Sequence, residues 1–100
     1  MQKDKRHTAV KKQAQTYHFN NRFRERTGLS CNRFVRRDIL EAIHNQEVVF
    51  LGRQSSRLHW YLFKFNEREF VIVYDHNRDS LVTVLFKDAD VDLEIQNLQK

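Results

Sequence analysis

The spacing of apolar side chains along this chain changes near residue 46 and again near residue 88. Before the first of these points it is helical. Val10, Ala14 and Tyr17 fall at i, i+4 and i+7, and Phe19 and Phe23 continue an apolar edge one step around. This predicts a helix over 8–27, closed by Gly28 after Arg24 and Arg26 in its last turn, with the polar residues 1–8 frayed. Val35, Ile39 and Ile43, with Leu40 and Ala42 alongside, mark a second helix to about residue 45. Ser30 or Asn32 can cap it, and Arg33, Arg36 and Arg37 lie toward its outside.

After Asn45 the period becomes two. Segments 47–51, 58–65, 69–74 and 81–86 are rich in Val, Ile, Leu and aromatics. Asn66-Glu67 and His76-Asn77-Arg78-Asp79 supply polar turns, so the last three segments read as an antiparallel meander. Few strand positions are polar on either face, so both faces should be covered. The helices account for one. The other is packed on the C-terminal segment or forms a site. Over 88–100, Val91, Ile95 and Leu98 repeat at helical spacing, with acids first and Lys last, which predicts a short terminal helix. The expected fold class is α+β: two N-terminal helices packed on an antiparallel three- to four-stranded sheet, with the helices segregated to one side. Residues 1–16 read as a basic N-terminal extension or the start of the first helix, and residues 17–100 as a single domain.

Composition narrows the setting. One hundred residues, 40% of them apolar, suit one core, and eight Phe, three Tyr and one Trp supply its bulk. The single Cys31 allows no internal disulfide, which points to a reducing, cytoplasmic compartment. No apolar run approaches the roughly 18 residues of a membrane span. The positive start is not followed by the apolar stretch of a signal peptide. Charge is strongly uneven. Residues 1–38 hold eleven Lys or Arg against three acids, and residues 39–100 hold seven against ten. A basic half of this kind points to a phosphate-rich partner, RNA above all.

Two groups of residues could carry chemistry. His18, Arg22 and Arg26 at i, i+4 and i+8 share one side of a helix, drifting about 40° per step. An imidazole can move protons near neutral pH while guanidinium forks hold a phosphate, the needs of RNA cleavage. The same spacing also fits an ordinary basic helix face with an incidental His. The second group lies on the strands: Arg57 and His59 at i, i+2, with Tyr74 and Thr83 adjacent if the meander register is simple. Inward aromatics in such strands are usually core.

Other chemistry is set aside on spacing. Asp88, Asp90 and Asp92 alternate like a calcium loop, but Leu93 and Gln99 stand where Gly and Glu belong. The five His show no ligand spacing with Cys31, so no metal is expected. Gly28 and Gly52 are the only glycines, so there is no phosphate loop, and no cofactor is implied.

The stretch from His18 to Phe86 resembles the RelE-like small ribonuclease toxins of the barnase, EndoU, colicin and RelE superfamily. The resemblance is carried by Phe23-Arg24-Glu25-Arg26-Thr27-Gly28-Leu29, the helix over 33–44, and Trp60-Tyr61-Leu62-Phe63. It continues through Phe70-Val71-Ile72-Val73-Tyr74-Asp75 and Leu81-Val82-Thr83-Val84-Leu85. It implies two helices against an antiparallel sheet and metal-independent RNA cleavage by 2′-OH attack on the adjacent phosphate. Carried over by position, His18 would transfer the proton and Arg22, Arg26 and Arg57 would hold the phosphate, with Tyr74 and Thr83 in support. The sequence departs from the family pattern at Phe86, where many relatives have Pro. No His, Tyr or Arg follows it.

The expected function is thus an endoribonuclease of toxin or phage-effector type acting on mRNA, tRNA or the ribosome, with a neutralising protein partner. The alternative is a non-catalytic basic protein that binds RNA, a ribosome or a host enzyme. Its contacts would be Lys11, Lys12, Arg24, Arg33, Arg36 and Arg37, with His59 or Tyr61 free to stack on bases. A third reading is a protein-interaction module whose acidic C-terminal segment meets a basic partner.

Overall fold

A computed structural model describes the backbone of residues 2–100 and the side chains of residues 13–100. The order is α1 (Gln2–Thr27), α2 (Arg33–His44), β1 (Val49–Arg53), β2 (Leu58–Phe65), β3 (Arg68–Asp75), β4 (Ser80–Phe86) and α3 (Ala89–Leu98). The four strands form one antiparallel sheet in sequence order. The fold is α+β, as the change of period predicts, and no helix among the described residues is long and apolar enough to cross a membrane.

The helices do not all lie on one side. Phe19 and Phe23 of α1 and Ile39 and Ile43 of α2 pack on Phe63, Phe70, Ile72, Tyr74 and Val84. Alternate strand residues, Trp60, Val71 and Val73 with Leu51, meet Ile95 of α3 on the opposite face. The C-terminal segment therefore covers the second face, and the sheet is the middle of three layers. This explains why β3 is buried from Phe70 to Asp75 without alternation.

α1 corrects the expected stripe. Its buried edge runs through Phe19 and Phe23, both essentially inaccessible, while Tyr17 is 66% exposed and Ala14 is also exposed. Two phenyl rings at i, i+4 bury more area than the Ala14–Tyr17 pair and set the helix rotation. The side chain of Val10 lies outside the described residues. Gly28, in the left-handed region at φ 75°, donates its N–H to Arg24 O and ends the helix as its position suggested. Asn32, not Ser30, caps α2: its Oδ1 accepts from the N–H groups of Phe34 and Val35.

Turn chemistry sets the strand register. Asn66 and Glu67 both take positive φ, 50° and 63°, so a two-residue turn joins Phe65 to Arg68 and the β2–β3 pairing is unbroken from Phe65↔Arg68 to Leu58↔Asp75. The outer pairs are irregular. Val73 faces Thr83 while Tyr74 faces Leu81, leaving Val82 as an extra residue in β4. Phe50 faces Tyr61 while Gly52 faces Trp60, leaving Leu51 extra in β1. Gly52 has φ 141°, and a Cβ there would stand 2.8 Å from Leu98 Cβ.

The two glycines therefore differ in what a methyl group would meet. Gly28 has open space around it, so Gly28→Ala should cost about 1 kcal/mol for left-handed backbone alone. Gly52→Ala adds a clash with α3 and should cost about 3 kcal/mol. Urea unfolding midpoints should rank wild type, Gly28→Ala and Gly52→Ala in that order.

Candidate functional site

His18, Arg22 and Arg26 line neither of the two hollows described below. Phe19 and Phe23 turn one edge of α1 onto the sheet, so His18 and Arg22 on another side are exposed. His18 has the edge of Tyr17 beside it, at 6.1 Å between centroids. Arg22 Nη1 pairs with Glu25 at 3.0 Å. The drift of 40° per step carries Arg26 back toward the buried edge, where its guanidinium lies 5.1 Å from the centre of the Phe86 ring. Arg24 is exposed. On α2, Arg33 and Arg37 stand 4.9 and 5.3 Å from the half-exposed Phe34 ring, and Arg36 donates to Asn20 Oδ1. Lys11 and Lys12 lie outside the described side chains.

The strand group separates in two. The extra residue at Val82 turns Thr83 opposite Val73, on the face covered by α3, while Tyr74 packs under α1 and α2. Tyr74 and Thr83 are therefore not neighbours on one face, because a bulge breaks the simple alternation. Arg57 Nε points to the fully buried Asp75 Oδ2 at 3.5 Å rather than toward His59. Asp75 Oδ1 meanwhile accepts from the N–H groups of Asn77 and Arg78 and shapes the β3–β4 turn.

His59 and Tyr74 do meet, as direct partners across β2 and β3. His76 N–H donates to Arg57 O at 2.7 Å, extending this ladder by one step, so His76 falls on the diagonal from His59. The two imidazoles stack, centroids 4.8 Å apart and planes 17° from parallel. Around them opens a cleft of about 510 Å³. Its walls are Ile43, Gln46 and Val48 at the end of α2 and the approach to β1, then Phe50 and Arg53 of β1, with Tyr61 beside the His pair. Among the described residues lining it none is acidic.

The sequence reading missed His76, Phe50 and Arg53. The signal for His76 was present. Counting outward from the Asn66-Glu67 turn puts His59 opposite Tyr74 and residue 57 opposite residue 76. Phe50 and Arg53 could not be read this way, because the extra residue in β1 shifts the register.

Local electrostatics divide the groups. His59 Nε2 lies 3.3 Å from Ser56 O, which can only accept, so the proton sits on Nε2 and Nδ1 is left as a base. Burial holds the His59 pKa below its ordinary 6.5, with help from the nearby His76 and Arg53 and against the bond to Ser56. Tyr74 is shifted the other way: burial first, then its hydrogen bond to Asp79, keeps the phenol protonated well above its usual range. Its hydroxyl donates to Asp79 Oδ1 at 2.5 Å, and the same oxygen lies 2.6 Å from His44 Nε2. This carboxylate ties the last turn of α2 to the β3–β4 turn. Burial also pushes up the thiol of Cys31, against the pull of Arg36, so it is a poor nucleophile. Among the described residues no group of three or more His, Cys, Asp or Glu is placed to hold a metal ion.

Comparison with protein-family models, curated proteins and solved structures found no match.

Tyr74→Phe should lower stability at pH 8 by about 1–2 kcal/mol, because it removes a bond to a charged acceptor. The sign with pH follows from the raised folded-state value. The unfolded chain ionises this phenol above its ordinary pH 10, while the folded chain resists. The advantage of wild type over Tyr74→Phe should therefore shrink between pH 10 and 11 in urea titrations.

Proposed function

We propose that this protein is a metal-independent endoribonuclease whose working groups are His59, His76 and Arg53, not His18, Arg22 and Arg26. The observation that carries this reading is the stacked His59–His76 pair beside the Arg53 guanidinium, in a cleft with no carboxylate among its described lining residues. Two stacked cations repel, so the rings do not both carry charge, which leaves one imidazole neutral while the other is free to hold a proton. That is the state an acid–base pair needs.

In the reaction, neutral His59 takes the ribose 2′-OH proton on Nδ1. The 2′-oxygen attacks the adjacent phosphorus and forms a 2′,3′-cyclic phosphate. The bond from phosphorus to the 5′-oxygen breaks, and protonated His76 at the exposed rim gives that oxygen its proton. Arg53 balances the charge gathering on the phosphoryl oxygens. An enzyme of this kind would act as a toxin or phage effector on mRNA, tRNA or the ribosome, with a neutralising protein partner.

A second reading, a non-catalytic RNA or ribosome binder, is favoured by α2, where half-exposed Phe34 carries two guanidiniums at its ring. That surface supplies affinity and no chemistry.

The test incubates the protein with RNA in EDTA. Wild type should leave cyclic phosphate and 5′-hydroxyl ends, and His59→Ala or His76→Ala should each lose about 100-fold or more. His18→Ala should cleave as wild type does. Because the base must be neutral and its pKa is lowered, the acid limb of the rate profile should lie below pH 6.5. Salt-sensitive binding without cleavage by wild type would select the second reading.

A further inference from the structure

Resting on the proposal that the cleft meets RNA, we infer that its ligand is a single strand. One unstacked base lies on Phe50, and the backbone crosses the edge of the sheet beside Arg53.

Phe50 is 48% exposed on β1, an edge strand of the sheet with no further strand paired outside it. Its ring is steadied from within by His59 at 5.7 Å and Tyr61 at 5.4 Å, both inclined to it. A fixed aromatic with one side open is a platform for a base, and a base paired inside a duplex cannot reach it. The cleft also continues. A second hollow of about 320 Å³ runs from Phe50 and Arg53 over Gly52 to Leu98 and Gln99. Phe50 and Arg53 line both hollows, so a ligand filling them is a chain rather than one nucleotide.

Two other occupants fit less well. A second copy meeting this patch by two-fold symmetry would bring Arg53 and His76 of each chain toward the same residues of the other, and no acid among the described lining residues offsets them. An extended peptide would need to pair with β1. The ladder there is broken between Phe50 and Gly52, and Leu51 O already accepts from Gln99 Nε2 at 3.0 Å.

The experiment measures anisotropy of a labelled 2′-O-methyl RNA, which has no 2′-OH to attack, as a single strand and as a duplex. Wild type should prefer the single strand. Phe50→Ala should weaken single-strand binding about tenfold or more and leave duplex binding unchanged, while Phe50→Trp should restore it. Equal single-strand affinity in Phe50→Ala, or a wild-type preference for duplex, would overturn the inference while leaving the cleavage proposal standing. Binding of neither form would overturn both. A wild-type dimer in sedimentation, dispersed by Phe50→Ala with RNA affinity intact, would give the platform to a second copy instead.

Discussion

The β2–β3 hairpin is the constraint on which the rest depends. Asn66 and Glu67 both adopt left-handed backbone, which matches the twist of the two strands and leaves no residue to spare between Phe65 and Arg68. From that point the pairing is fixed for eight steps. It brings His59 against Tyr74 and, one step past its last pair, His76 against Arg57. A slip of one residue would carry His59 to the face under α3 and drive Trp60 into the core under α1 and α2. The geometry of the cleft is thus determined about 20 Å of strand away from it, at a turn with no chemistry of its own.

Burial on both faces keeps that register firm. Phe19 and Phe23 press α1 onto one side, and Ile95 anchors α3 on the other, so no strand can rotate without exposing a core residue. Within this rigid frame the two irregular strands do the shaping. The extra residue in β4 sends Thr83 away from Tyr74. The one in β1 lets Gly52 approach Leu98 and leaves Phe50 and Arg53 at the free edge. Asp79 holds both Tyr74 and His44, so β3, which pairs Tyr74 with His59, is tied to α2 by charge-assisted hydrogen bonds as well as by packing.

The elements were legible because their signals are local. The change from helical to two-residue spacing after Asn45, Gly28 after α1 and the Asn66-Glu67 turn all report on neighbouring residues. The rotation of α1 was misread: Tyr17 looked apolar by spacing, yet the pair of phenyl rings at Phe19 and Phe23 decided which edge was buried. His59 and Tyr74 were legible as candidates, since a two-residue turn fixes what faces them. His18, Arg22 and Arg26 were harder to judge, because spacing on one helix says nothing about what lies opposite. Arg26 is drawn to Phe86 and Arg22 to Glu25 by partners distant or local that the pattern does not weigh. Bulges hid the remainder, since each displaces the count by one residue.

The central claim is that RNA meets the cleft and not the exposed face of α1. The most direct measurement follows the ring signals of all five histidines by NMR while an uncleavable 2′-O-methyl RNA single strand is added. The account predicts that His59 and His76 shift together and saturably, with His59 titrating below pH 6.5 in the free protein, while His18 stays in place. Shifts centred on His18, with His59 and His76 unmoved, would contradict it and return the site to α1.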